Sequence, residues 1–416
     1  MSLPGIDLLE LERYQRLEHH EMFRRLRAEA PIYWHDHPQG RGFWNLTKHE
    51  DVVTVGRQAQ RFSSEIGGIS ILDPEEIPGG AGMDSRGVMM LYTDPPKHTR
   101  YRLLVQKGFT PRMVTLLEQH LQAKAVAIVD NIIERGECDF VEDLASELPL
   151  QAIAEIMGVP QEDRKLLFNW SNALIGADDP EYAQNNEEDA GEAMTAAAEL
   201  YMYVNALAKA RHTDPRDDIV TKLINAEIDG DKLSELEFDM FMLLLTVAGN
   251  ETTRNTTAWG MWGLLQHPEE LAKLKADPDA LLPGAIEEVL RWASPVYHFR
   301  RTAVEDTELL GQEIKANDKV VIWYISANRD EDIFTDPYRF DISRSPNPQI
   351  AFGGGGPHFC LGANLARMEL RLIFREMIER IDNLQLAGTP ELLRSNFVGG
   401  IKRMPVTFTP GKRKLG

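Results

Sequence analysis

Apolar positions recur mostly with a helical period, and the strand-like segments between them are short. A helix is predicted from Glu18 to Ala30, stopped by Pro31, followed by strands at Ile32 to His35 and Gly42 to Leu46 joined by a turn-rich Asp36-His37-Pro38-Gln39-Gly40. Residues 63–90 show little periodicity, and a loop of that length inside a compact domain is usually functional. Helical patterns dominate from Pro96 to Arg211, broken at Gly136, Pro160 and the acidic stretch Ala177 to Ala190. A capping box, Ser234-Glu235-Leu236-Glu237, opens another helix running to His267. Further helices fit Pro268 to Lys275, Leu281 to Ala293 and Leu361 to Ile381, and strands fit Arg300 to Ala303, Lys319 to Trp323 and Pro405 to Phe408. No internal repeat or Gly/Ser linker divides the chain. The pattern predicts a mainly α fold with a small β portion, built as one domain over residues 1–416.

Composition changes that picture by exclusion. With 45 basic and 65 acidic side chains the formal charge is −20, which disfavours nucleic acid and anionic membranes as partners. The longest apolar run, Phe241 to Ala248, is too short for a bilayer and reads as buried helix. Met1 to Glu10 reads as a polar arm, so a soluble, cytoplasmic protein is expected, with Cys138 and Cys360 as reduced thiols.

Candidate chemistry concentrates in Ala351-Phe352-Gly353-Gly354-Gly355-Gly356-Pro357-His358-Phe359-Cys360-Leu361-Gly362. Four glycines allow positive φ and close approach of the backbone to a flat ligand. A sulfur at the start of the following helix faces unpaired N–H groups, which favour the thiolate, the form that ligates iron. A small buried thiol beside a flexible turn is the plainer alternative. A phosphate loop is excluded, because no Lys-Ser/Thr follows the glycines.

Other segments are ambiguous alone. In Ala248-Gly249-Asn250-Glu251-Thr252-Thr253, the small residues open a groove, and Thr252 lies one turn from Ala248. An acid beside an alcohol can pass protons in a dry site, although the hydroxyl could equally bond back to the carbonyl of residue 248. Glu288 and Arg291 are spaced as an ordinary helical ion pair. His98 and Arg102 lie four apart after Asp94-Pro95-Pro96, facing one way.

Together these segments, spread over residues 94 to 367, resemble the bacterial cytochromes P-450. The resemblance implies a triangular helical prism around haem b (iron protoporphyrin IX), with Cys360 as axial iron ligand. His98, Arg102, Arg301 and His358 would hold the propionates, with Arg301 preferred over Arg300 because it stands two before Ala303. Gly249, Gly362 and Ala366 would let helices approach the porphyrin. Glu251 and Thr252 match the family's acid–alcohol pair, with glutamate in place of the commoner aspartate. Glu288, Arg291 and Arg339 match a structural triad. One departure stands out: Phe352 lies eight residues before the cysteine rather than seven, leaving open which side chain shields the sulfur.

The implied activity is monooxygenation of a hydrophobic molecule with O2 and electrons from an acidic ferredoxin and its reductase. Docking is expected on a basic patch of Lys97, Arg100, Lys107, Arg367, Arg371 and Arg375. The alternatives are an H2O2-driven peroxygenase and a non-catalytic haem protein. The long glycine loop, the run Gly249 to Asn255 and the segment Ser395 to Lys402 look like the branch that oxidises steroid side chains and methyl-branched lipids. Expected pocket walls are Ile69, Ile71, Met89, Leu244, Val247, Ala248, Val296, Phe299 and Val398, which suit a steroid, terpenoid or branched lipid.

Overall fold

A computed structural model describes residues 3–38, 40–73, 76, 85–106, 111–175, 179, 181, 188–228 and 230–415. The expected mainly α architecture is borne out. The long helix, Glu235–Gln266, starts at the capping box: Ser234 accepts from the Glu237 N–H, and Glu237 reciprocates at the Ser234 N–H. Nearly every position from Asn250 to Leu264 is buried, so this half of the helix carries no polar stripe and runs through the core. It packs on Pro278–Ala293, on Glu147–Met157 and on the helix after the cysteine, Ala363–Arg380. Gly260 marks a tight crossing, since a Cβ there would lie 2.5 Å from Val289 and 2.9 Å from Phe374.

A five-stranded sheet stands beside the helices in the order Ile32–His35, Phe43–Leu46, Lys319–Trp323, His298–Ala303 and Phe62–Ser63. Only the Phe43–Leu46 and Lys319–Trp323 pair is parallel. The strand Glu137–Asp139, inside a stretch expected to be helical, joins Pro405–Thr409 and Asp382–Leu386 in a second sheet. At three residues it is too short to show a period. Cys138 on that strand is buried opposite Val406, and burial pushes its thiol up to about 12, consistent with a packing role.

Glu288 and Arg291 on Pro278–Ala293 are fully buried and joined by two hydrogen bonds of 2.8 Å. The third charged member is Arg344, whose Nε donates to Glu288 at 3.2 Å, and this corrects the expectation of Arg339. Arg339 contributes its carbonyl to Arg291 and Arg344, while its side chain is 57% exposed and reaches Glu270 only at 4.0 Å. Asp336 at φ 47 turns the chain there, so the backbone of residue 339 faces inward. Arg344→Ala is therefore expected to cost about 2–4 kcal/mol and Arg339→Ala within about 0.5 kcal/mol, read from urea unfolding midpoints. The reverse order would return Arg339 to the cluster.

Near the N-terminus, His19 is buried between the rings of Tyr14 (5.0 Å) and Tyr297 (5.3 Å). Burial, helped by the charge of Arg329, holds its pKa down to about 3 from an ordinary 6.5. The unfolded chain therefore takes up this proton first. The stability is present above pH 6.5 and is lost as pH falls towards 3, at up to about 1.4 kcal/mol per pH unit. His19→Phe should flatten the acid limb of a melting-temperature profile between about pH 6 and 4; an unchanged slope would assign that limb to other groups.

Candidate active site

The glycines before Cys360 are explained by a neighbouring helix. Gly353, Gly355 and Gly356 have φ of 90°, 95° and 80°. A Cβ on Gly356 would lie 2.5 Å from the Gly56 carbonyl oxygen and 2.9 Å from Arg57 Cα, and one on Gly354 would lie 2.8 Å from Val53 Cα. The loop is thus pressed backbone to backbone on His49–Arg57, and Arg57 Nε donates to the Gly354 carbonyl at 2.9 Å. That contact accounts for Gly354 and Gly356, whereas a Cβ on Gly353 would meet nothing within 4 Å. The Cys360 N–H donates to the Phe352 carbonyl at 3.0 Å and closes the loop. The Phe352 ring stacks under Arg367, 4.6 Å from the guanidinium carbon, and Arg367 is held by Glu287 at 2.6 Å.

Cys360 is a half-buried free thiol, three residues before the start of Ala363–Arg380 rather than on that helix. Burial raises its pKa, and the Gly362 N–H, Arg102 and Arg367 act against that shift without reversing it. The helix start alone does not secure the thiolate, so ionisation has to come with a bound cation.

Beside the loop stands a set of cations. Helix Lys97–Val105 carries His98 and Arg102, and Arg102 donates to the carbonyls of Phe359 (2.7 Å) and Pro357 (3.2 Å). The rings of His98 and His358 lie 4.2 Å apart. Burial and then the charges of Arg301, His98 and Arg102 push His358 down to about 2; burial and Arg102 push His98 down to about 4. Arg301 is buried and donates to the Arg300 carbonyl at 2.8 Å, whereas Arg300 turns the other way and pairs with Asp73 at 2.5 Å. His98 Nδ1 and His358 Nε2 are buried without a partner among the described residues. Two arginines and two neutral histidines with orphaned nitrogens, without an ion pair to a carboxylate among the described residues, fit two buried carboxylates of a ligand. Gly362, where a Cβ would meet nothing within 4 Å, and half-buried Ala366 one turn on leave room for a flat body beside Cys360. These residues fit a haem.

On the long helix, Leu244, Ala248 and Thr252 follow one another at four-residue spacing and stay at least partly open, Ala248 most of all. The Thr252 hydroxyl donates to the Ala248 carbonyl at 2.8 Å, the back-bonded arrangement that sequence left open. Glu251 is 2% exposed and pairs with Arg254 one turn on; burial raises its pKa and Arg254 opposes that. Gly249 is turned away from this strip, because a Cβ there would lie 2.3 Å from Ile153, so it serves helix packing and not a cofactor.

Of the expected walls, Val296 and Val398 form an antiparallel bridge, and Phe299 lies 5.9 Å from Phe397, which sequence reasoning missed although it directly precedes Val398. Ile69 is buried beside the same strand, its carbonyl accepting the Arg300 N–H at 2.7 Å, and Met89 is buried too. Ile71 packs instead in the N-terminal core cluster with Tyr297 and Trp323. The expected basic patch is also corrected. Arg100 pairs with Asp231 and Glu237, Arg367 with Glu287, Arg371 with Glu118, and Arg375 with Asp279 and Glu379, so these cations are locally neutralised. Lys97 bonds the Gly87 carbonyl, and Lys107 lies outside the described residues. Among the described residues no helix is long and apolar enough to cross a membrane.

Comparison with known proteins agrees with this geometry. The family described as Cytochrome P450 matches residues 90–396. A steroid C26-monooxygenase of Mycolicibacterium smegmatis is 44% identical, over 94% of this chain and 90% of that protein. A methyl-branched lipid omega-hydroxylase of Mycobacterium bovis is 42% identical, over 93% of this chain and 90% of that protein. A Mycobacterium marinum cytochrome P450 solved with pseudoionone superposes with a TM-score of 0.90 at 40% identity, covering 98% of this chain and 99% of that one.

The loop geometry makes Gly356→Ala the damaging change. Positive φ alone should cost Gly353→Ala about 1–2 kcal/mol, while Gly356→Ala adds a clash with backbone and should exceed about 3 kcal/mol. Equal losses of thermal stability would show that the loop does not bear on His49–Arg57.

Proposed function

The chain belongs to the cytochrome P450 family of monooxygenases, and from that premise we propose that it hydroxylates a steroid side chain or a methyl-branched lipid. The substrate class rests on the relatives at 42–44% identity named for those activities. The partly open positions Leu244, Val247 and Ala248, with Val296, Phe299 and Val398 proposed as the opposite wall, suit such a molecule.

The observation that carries the cofactor assignment is the carboxylate-free set His98, Arg102, Arg301 and His358 beside Cys360. On this reading those residues would hold the propionates of haem b, and the Cys360 sulfur would bind its iron. Bound haem supplies O2 activation, and a thiolate ligand favours O–O cleavage. The chain's own residues do the rest. Arg102 ties the propionate helix to the cysteine loop, so the sulfur and the carboxylate partners move as one body. Glu251 takes and releases protons from a buried position, and Thr252, its hydroxyl anchored at Ala248, accepts through its lone pairs. An apolar wall excludes water from the acid–alcohol pair.

Electrons are assigned to an acidic ferredoxin and its reductase. The arginines on the cysteine side are paired, yet Arg371 and Glu118 are about half exposed, and exposed pairs exchange partners at little cost. Reduction that slows with salt and with Arg371→Glu supports this partner; reduction insensitive to both overturns it.

Substrate class is tested by binding spectra and product analysis. Sterols or methyl-branched acids should shift the haem spectrum, and the product should carry a terminal hydroxyl. Silence across both panels would overturn the class. Cys360→Ala should abolish the thiolate-haem band of the reduced carbon monoxide complex. NADH-dependent turnover through a ferredoxin separates a monooxygenase from a peroxygenase.

A further inference from the structure

We propose that Arg254 is the positioning residue for the distal acid: it engages one carboxylate oxygen of Glu251 and leaves the other to pick up and hand on protons. The inference rests on the monooxygenase reading above. Both residues lie on the long helix, three apart and facing the protein interior, with side chains 8% and 3% exposed for Arg254 and Glu251. Arg254 Nη2 donates to Glu251 Oε2, while Glu251 Oε1 is buried without a partner among the described residues. A buried acceptor left without a donor is costly and rare, and calls for a functional reason.

The geometry supplies that reason. Thr252 donates its own proton to the Ala248 carbonyl, so its hydroxyl is anchored along the helix. Glu251 Oε1 is then the uncommitted oxygen of the acid–alcohol pair. Reaching back one turn, Arg254 holds the carboxylate along the helix flank rather than in the strip formed by Leu244, Ala248 and Thr252. Burial alone would neutralise this acid, and a neutral carboxyl cannot accept another proton. Among the described residues, Arg254 is the one charged group whose field opposes that burial at Glu251. In the proposed cycle a solvent proton binds Oε1 and the neutral carboxyl loosens from Arg254. The proton then leaves towards Thr252 and the ion pair reforms. Only O–H bonds are made and broken, and no electrons move.

The test uses the full haem-loaded chain and the variants Arg254→Met and Arg254→Lys, with Glu251→Gln to identify the carboxyl signal. Infrared titration reads the protonated carboxyl of Glu251 without turnover. In Arg254→Met its midpoint should rise by about one to three pH units. Product formed per NADH should fall several-fold while the substrate binding spectrum is kept. Arg254→Lys should restore most of the titration midpoint but, lacking the planar fork, should enlarge the solvent isotope effect. Unchanged titration and product yield in Arg254→Met overturn the proposal. If that variant does not fold, an Arg254→Lys enzyme with wild-type isotope effect and yield overturns it equally. A wrong substrate class would instead show as wild-type protein that binds no sterol or branched lipid, leaving the infrared titration intact.

Discussion

Two backbones meet where the cysteine loop crosses the helix His49–Arg57, and the position of Cys360 depends on that crossing. Gly356 sits so close to the Gly56 carbonyl that no side chain fits between them. Phe352 is bound to Cys360 by a main-chain hydrogen bond, and Arg102 grips the carbonyls on either side of His358. None of these contacts uses a side chain that varies freely in size. A sulfur held through backbone geometry keeps its place whatever fills the substrate pocket. The stiffness comes from steric exclusion, which does not weaken with salt or pH.

The two sides of the proposed haem site are built with opposite electrostatics. On the sulfur and propionate side, Arg102, Arg301, His98 and His358 crowd together, and burial first, then the arginine charges, keep the histidines neutral. A cluster of this kind is unfavourable in isolation and favourable once two ligand carboxylates enter, so binding energy is stored as uncompensated charge. On the distal side the acid Glu251 has its counter-charge on its own helix. The proposed proton-handling group is therefore paired within its own helix, and the proposed cofactor-holding groups are left for a ligand to pair.

Much of this was legible in the sequence, and the failures share a cause. Helix existence, the capping box at Ser234, the strands at Ile32–His35 and Lys319–Trp323, and the cysteine loop were readable because each is set by local pattern. Arg301 was separable from Arg300 on the resemblance, and strand alternation explains the outcome, since residues 299 and 301 share one face while Arg300 faces Asp73. The misses were tertiary. Arg344 replaces Arg339 because a turn at Asp336 reverses which atoms point inward. Gly249 faces Ile153, and Ile71 faces Tyr297, through packing directions that sequence spacing does not encode. The pairing of the basic patch was missed because its carboxylate partners Glu118, Asp231, Asp279 and Glu287 come from other segments.

The shared face of strand His298–Ala303 also bears on how substrate choice can vary within this architecture. Phe299, a proposed wall of the substrate pocket, lies 5.8 Å from the guanidinium of Arg301, a proposed propionate partner. Reshaping residue 299 would disturb the cation that seats the cofactor, so that position is constrained from two directions. Val296 and Val398 carry no such double duty, because they meet each other in an isolated bridge beyond the end of the strand. The long helix is similarly constrained, with Ala248 receiving the Thr252 hydroxyl while its side chain faces the pocket. Freedom to accept a steroid or a branched chain is then concentrated at the 296–398 bridge, whereas the segment around Ile69 is tied to the Arg300 guanidinium through Gly67 and Ser70.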